Sequence, residues 1–317
     1  MINRFELASV HVTFAIGAFF AFALVYVLLG RQNNILPRDQ GREFAVNGKL
    51  SAGKARGAGL IFIPVFILAA LMFDEMYPEK VVYLALLAIE MITGFLDDSA
   101  KVPWGELKKG LLDLAVAIVA AVTYVFYNGS RILMPIFRLE VDLHPVLYVI
   151  LAVVLIWISI NAANCTDGVD GLSGTLTMVT LGSFLVLDTG RGDMRYEIIL
   201  FIAVLLAYQW YNASPSILMM GDAGSRAMGF FIAIIAMKSE CPFMYIPLAL
   251  MMILDGCLGL LKVSFIRYLH LKNFMADIRT PLHDHARKLS GWSDAQTVYR
   301  FAIIQFMVSL IALYLAK

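Results

Sequence analysis

Four polar clusters break an otherwise apolar sequence, and their residue types suggest anion and metal chemistry. Asp97 and Asp98 are adjacent, with Lys101 three residues on. Neighbouring carboxylates repel, so the pair needs a cation or a proton. Such acids can ligate a metal, share a proton, or accept one from a nucleophile. A solvated helix end is the competing reading of the pair taken alone. The densest cluster, NAANCTDGVDGLSG at 161–174, holds two asparagines, two aspartates and three glycines. Asn161 and Asn164 are three apart, as are Asp167 and Asp170, so each pair is expected to share a helix face. Gly168, Gly171 and Gly174 permit sharp turns and close backbone approach. A functional loop accounts for this density better than an ordinary capped turn.

The third cluster runs from Asn212 to Ser225, with Asp222 in a Gly-Asp-Ala-Gly-Ser turn before an apolar run. Free N–H groups there suit phosphate oxygens, and the carboxylate could carry Mg²⁺. Helix capping by Asp222 or Ser225 is equally compatible. The fourth is Pro281-Leu282-His283-Asp284-His285, followed by Arg287 and Lys288. With no cysteine close by, zinc is not expected. Histidines beside basic residues suit phosphate contact, and a plain basic loop is the alternative.

The elements that must position these residues are membrane helices. Of 317 residues, 60% are hydrophobic and 15% charged, at a mean hydropathy of +0.78. That is too little charge for a water-facing surface. A net charge of +1 argues against a nucleic-acid binder. Three scattered cysteines make neither a disulfide framework nor a zinc site. Apolar runs at 8–29, 58–73, 80–96, 111–127, 145–162, 170–187, 198–211, 227–237, 243–266 and 297–316 predict an all-α polytopic membrane protein of about ten transmembrane helices. It forms a single transmembrane domain over 1–317, without a cleavable signal peptide.

Lysine and arginine concentrate in the loops after the odd-numbered runs, which places those loops in the cytoplasm and both termini outside. All four clusters then share the cytoplasmic face. Alternation over 136–144 predicts a short strand on the outer face. Leu271, Phe274, Met275 and Ile278, beside Arg267, Lys272 and Arg279, predict a short interfacial helix on the inner face. Glu90 and Asp255 lie within apolar runs, seven residues before Asp97 and Lys262 respectively. Intramembrane acids are functional candidates by default, although a buried ion pair is favoured for Asp255. A proton-coupled transporter using these two acids is the rival class. Its sites would lie near the bilayer midplane, often between repeated halves, whereas here the polar density lies at one face and no repeat is visible.

Taken in order, the clusters resemble the polyprenyl-phosphate N-acetylhexosamine-1-phosphate transferases, from about residue 50 to the end. NAANCTDGVDGL is similar to that superfamily's Asn-Ala-x-Asn-x-Thr-Asp-Gly-x-Asp-Gly-Leu run. GFLDDSAKV resembles its Asp-Asp-x-x-Lys motif, MGDAGSRAMG its Gly-Asp-Thr-Gly-Ser run, and PLHDHARKLSGW its Pro-x-His-His-His segment. The greatest similarity is to the phospho-N-acetylmuramoyl-pentapeptide transferase branch. Departures exist. Asp284 replaces the middle histidine. Ala223 replaces threonine, as in the N-acetylglucosamine-1-phosphate transferases. SAGKARGAGL is a degraded form of a Lys-Gly-Thr-Pro-Thr-x-Gly-Gly loop, in which Lys49 or Lys54 replaces the superfamily lysine.

The resemblance implies transfer of phospho-N-acetylmuramoyl-pentapeptide from UDP-N-acetylmuramoyl-pentapeptide to undecaprenyl phosphate. The implied products are UMP and lipid I, expected at the cytoplasmic face of the bacterial inner membrane, and the resemblance implies a homodimer. The N-acetylglucosamine donor is the alternative. The resemblance further implies Mg²⁺ on Asp222, with Asp97 or Asp98 accepting the proton from, or orienting, the lipid phosphate. A covalent route through Asp98 stays open. Asn164, Asp167, Asp170 and Asn212 would hold the nucleotide, His283 and His285 would meet the diphosphate, and Lys54, Lys101 and Lys109 would bind substrate.

Overall fold

The computed structural model describes residues 10–31, 36–39, 52–100, 102, 104–187, 194–271 and 275–317. In chain order the helices are α1 (Val10–Arg31), α2 (Gly59–Phe73), α3 (Pro78–Asp98), α4 (Glu106–Asn128), α5 (Pro145–Thr166) and α6 (Leu172–Leu187). They continue with α7 (Arg195–Asn212), α8 (Gly221–Lys238), α9 (Tyr245–Leu248), α10 (Leu250–Tyr268), α11 (Leu282–Lys288) and α12 (Asp294–Leu315). The strands are β1 (Ala55–Arg56), β2 (Arg131–Met134), β3 (Leu139–Asp142) and β4 (Leu218–Met219).

Within lipid a backbone must satisfy its own hydrogen bonds, so apolar runs become helices. All ten predicted runs do so. Their ends carry ordinary stop and start signals. α3 and α5 begin at Pro78 and Pro145, where a missing N–H costs nothing. α12 opens on a capping box formed by Ser293 and Gln296.

Helix α8 is the centre of the molecule. Every residue from Gly221 to Met237 is buried, and α8 packs chiefly against α3 and α5. Around it, α1, α4, α5 and α12 turn large apolar side chains outward, among them Phe19, Phe126, Val146 and Tyr314. Among the described residues, those four helices are long and apolar enough to cross a membrane, and α9 with α10 makes a fifth if the bent pair counts as one.

Three expectations need correction. The ninth run is not one straight span: Pro242–Leu248 and Leu250–Arg267 meet at 88°. Such a break is tolerated where other groups take up the freed backbone. Gln305 of α12 does this, donating through Nε2 to the Pro247 carbonyl at 3.0 Å and accepting from the Met251 N–H at 2.8 Å. Thr180 Oγ1 adds a bond to the Leu248 carbonyl at 2.8 Å.

The strand expected at 136–144 forms over a shorter stretch, Leu139–Asp142, after a 3-10 turn at Pro135–Phe137. β3 pairs antiparallel with β2, Arg131 opposite Asp142 and Met134 opposite Leu139, because a strand needs a partner for its backbone groups. The interfacial helix is absent among the described residues. Lys272 and Phe274 lie outside them, and residues 275–277 form a turn with Met275 at φ 53°. That left-handed conformation cannot continue a helix. The helix forms instead at α11, over the histidine motif.

Candidate active site

The ends of α3, α4 and α8 meet with strand β1 at one place. β1 pairs parallel with β4, Ala55 opposite Leu218 and Arg56 opposite Met219, which brings the 52–58 segment beside the start of α8. Helix α3 approaches α8 closely at Gly94, where a Cβ would stand 2.4 Å from the Asp222 carbonyl oxygen. The Ala223 N–H donates to Asp98 Oδ2 at 3.2 Å, fixing the two helix ends together.

Four carboxylates and two cations then interlock. Arg56 Nη2 lies 2.8 Å from Asp98 Oδ1 and 3.3 Å from Asp222 Oδ1, and Nη1 lies 3.5 Å from Asp39. Lys109 Nζ lies 2.6 Å from Asp97 Oδ2 and 3.4 Å from Asp222 Oδ2. Asp97 Oδ1 also accepts from the Trp104 N–H at 2.6 Å. Burial disfavours the charge on Arg56, but Asp98, Asp222 and Asp39 outweigh it and hold the guanidinium above its ordinary range. Asp167 adds to the same effect, so the 167–171 turn faces this cluster.

That turn forms the second half of the site. Helix α5 ends at Thr166, so Asp167 and Asp170 sit in the turn and do not share a helix face as expected. The cause is chain reversal within 167–171, where Gly171 has φ +85°. Lys54 Nζ lies 3.3 Å from Asp170 Oδ2 and donates to Ser216 Oγ at 2.9 Å. The Ser216 N–H donates to the same Asp170 oxygen at 3.0 Å. Asn212 is buried and accepts from the Gly171 N–H at 2.8 Å while donating to the Leu218 carbonyl at 2.9 Å. Its side chain therefore shapes the turn. Asn164 donates to Ser225 Oγ at 3.0 Å, tying α5 to α8, whereas Asn161 donates back to Trp157 within its own helix.

His283 reaches this turn from α11. A Cβ at Gly168 would stand 2.3 Å from its Nε2. Asp255 of α10 holds the imidazole from the other side, taking the His283 backbone N–H at 2.7 Å and Nδ1 at 2.8 Å. A carboxylate only accepts, so Nδ1 carries a proton. The buried pairing favoured for Asp255 is therefore present, but His283 is the partner; Lys262 donates instead to the Ile278 carbonyl at 2.7 Å. His285 does not join the cluster: its Nδ1 accepts from the Arg279 N–H at 3.2 Å.

Asp97, Asp98, Asp222 and Lys109 thus converge, with Lys54, Asp170, Asn212, Asp167 and His283 on the adjoining turn. Lys101 and Lys49 lie outside the described residues. Arg56 carries no mark in the sequence, although Lys54, two residues earlier in the same GKARGAG loop, is a candidate there. Among the described residues no group of three or more His, Cys, Asp or Glu side chains is arranged to hold a metal. Mg²⁺ usually takes only one or two carboxylates together with substrate phosphates and water. Asp98 Oδ1 is buried without an aligned hydrogen bond and shares the Arg56 Nη2 with Asp222. The donor set fits a divalent cation shared with a phosphate.

The protein-family model for glycosyl transferase family 4 matches residues 80–240, half of the chain, and spans Asp97, Asp98, Asp167, Asp170 and Asp222. The chain belongs to glycosyl transferase family 4. Within this family 4 setting, a phospho-N-acetylmuramoyl-pentapeptide-transferase of Treponema pallidum (strain Nichols) is 39% identical, over 96% of this chain and 89% of that protein. Proteins of the same name from Clostridium acetobutylicum and Ruegeria pomeroyi are each 29% identical, covering 84% and 97% of this chain and 86% and 94% of theirs. The family 4 match begins only at residue 80, but these relatives extend the likeness over the Lys54 and Arg56 loop as well.

Proposed function

We propose that this chain transfers phospho-N-acetylmuramoyl-pentapeptide from its UDP-linked donor to undecaprenyl phosphate, forming lipid I and releasing UMP for peptidoglycan synthesis. The observation that carries this reading is the interlocked cluster of Asp97, Asp98 and Asp222 with Arg56 and Lys109, in a chain so similar to transferases of that name.

In this reading an oxygen of the lipid phosphate attacks the β-phosphorus of the donor. The bond from that phosphorus to the UMP oxygen breaks, and UMP leaves. Such chemistry is mostly positioning and charge neutralisation. Asp98, with Asp97 beside it, accepts a proton from the lipid phosphate or orients it. Arg56 and Lys109 are poised to exchange their carboxylates for phosphate oxygens. Lys54, Asp167, Asp170 and Asn164 line the nucleotide side, and Asn212 keeps that turn in shape. His283 presents Nε2 to the diphosphate, while Lys101 remains an expected substrate contact. Asp222 would hold a Mg²⁺ ion, whose chemistry there would be to offset the negative charge that develops on phosphate.

Ten membrane crossings with both termini outside, a site on the cytoplasmic face of the bacterial inner membrane, and a homodimer belong to the same reading. The distribution of lysine and arginine between alternate loops supports the orientation.

Ala223 keeps a second donor in view: its place in the Gly-Asp-Ala-Gly-Ser run matches the N-acetylglucosamine-1-phosphate branch. The test is UMP release by purified protein with Mg²⁺ and undecaprenyl phosphate, with the two UDP donors run side by side. Release from the pentapeptide donor is expected, lost on EDTA treatment and restored by Mg²⁺. Release from UDP-N-acetylglucosamine alone transfers the protein to the second reading. Folded protein silent with both donors defeats each of them. Asp222→Asn should abolish turnover, and Mg²⁺-dependent turnover near the wild-type rate would remove Asp222 from its role.

A further inference from the structure

Below the site, three more charged residues meet. Arg226 of α8 is the largest fully buried side chain among the described residues, at 2% exposure, and Glu90 of α3 and Asp113 of α4 are equally enclosed. Arg226 Nη2 is paired with Asp113 and lies 3.3 Å from Glu90 Oε2. No step of the reaction described above touches this triad.

Its position is informative. Arg226 lies four residues after Asp222, and Asp113 four after Lys109, so each shares a helix face with a site residue one turn away. Glu90 lies seven before Asp97, two turns down α3. Each of the three helices that deliver the acids and the lysine to the site therefore contributes one member of the triad.

We propose that Arg226 is a positioning residue: clamped between Glu90 and Asp113, it fixes the heights and rotations of α3, α4 and α8, and so holds Asp97, Asp98, Lys109 and Asp222 within reach of one diphosphate. The inference rests on the functional reading above. A guanidinium is a rigid planar fork with directional donors, so it specifies distance and angle where apolar contacts specify only proximity. Stability is a poor reason for the triad. Buried ion groups are often replaced by apolar residues without loss, and here Glu90 Oε1 and the Nε and Nη1 of Arg226 have no hydrogen-bond partner.

The test removes the charges together, since removing one alone strands the others. In the variant Arg226→Met with Glu90→Leu and Asp113→Leu, the melting temperature should stay near the wild-type value. Turnover should nevertheless fall on the order of 10²-fold, the scale of a 1 Å misplacement at a reacting centre. The Mg²⁺ concentration for half-activation should rise about tenfold, with the donor KM little changed. A purely structural triad predicts recovered activity wherever stability is recovered. A stable triple variant with wild-type kcat and Mg²⁺ dependence overturns the proposal.

A polar triple, Arg226→Gln with Glu90→Gln and Asp113→Asn, provides a second folded background in which the same losses are expected. Failure of both triples to fold also overturns the proposal, because the triad would then be a condition of folding. Wild-type protein in the same preparation separates the two ideas. Its silence would defeat the functional reading, whereas its turnover with unaltered triple variants defeats only the clamp.

Discussion

Both carboxylate oxygens of Asp255 are taken by one residue, His283: Oδ1 by the backbone N–H at 2.7 Å and Oδ2 by the imidazole Nδ1 at 2.8 Å. The pair fixes the ring's place, its rotation and which nitrogen faces the 167–171 turn. Asp255→Asn keeps the shape but offers an N–H to Nδ1, which must then become the acceptor, moving the proton to Nε2. We expect kcat to fall about 10²-fold, the scale of a misplaced acid–base group. Nitrogen NMR of the labelled imidazole should show the exchanged tautomer. The loss should vanish when the change is made in a His283→Gln background, and an equal loss there would sink the idea that Asp255 acts through His283.

Arg56 touches Asp98, Asp222 and Asp39 together. Arg56→Ala should lower turnover roughly 10²–10³-fold, as expected when a preorganised cation facing developing phosphate charge is lost. Arg56→Lys should recover little, since a point charge cannot span the same carboxylates. UMP release at saturating substrates reads both variants. Full activity in Arg56→Lys would reduce Arg56 to a general counter-charge.

Gly94 tests how tightly α3 must approach α8. Gly94→Ala places a methyl group 2.4 Å from the Asp222 carbonyl oxygen, and neither backbone can yield without moving the site. A stability loss of about 1–3 kcal/mol is expected from overpacking, accompanied by a fall in kcat. Thermal unfolding in detergent and UMP release check the two effects. Unchanged values for both would mean that the helices separate without consequence.

Gln305 supports the break between α9 and α10. Gln305→Leu leaves the Pro247 carbonyl and the Met251 N–H without their side-chain partner. Each orphaned buried group costs about 1–3 kcal/mol, so the melting temperature should drop clearly. Hydrogen exchange should rise first at Met251. A melting temperature equal to that of the wild type would show that the bend satisfies itself.

Much of this was legible in the sequence. Since lipid leaves a backbone few alternatives, the apolar runs marked every helix except α11, which forms over the histidine motif. Asp97, Asp98, Asp222, Asp170 and His283 were legible because polar residues of these types are costly beside a membrane without a purpose. Other features depend on distant partners. Pro247 marks a weak point beside Ala249, but not the sharp bend, which Gln305 stabilises from a helix more than fifty residues later. Arg56 was hidden because a short basic loop says nothing of which carboxylates it will meet, and the two-residue pairing of β1 with β4 is too brief to show any periodicity. His285 shows the reverse case: at i+2 from His283 it looked equivalent, yet the short α11 turns the two rings to different neighbours.

The enclosure of α8 has a mechanical consequence. Asp222 is mounted on an axle with no lipid contact from Gly221 to Met237, while α1, α4, α5 and α12 form the bearing that meets the acyl chains. Changes in bilayer thickness tilt and flex outer helices first. Asp222 is thereby insulated from the membrane, and the lysine on α4 is the part of the site most directly geared to it.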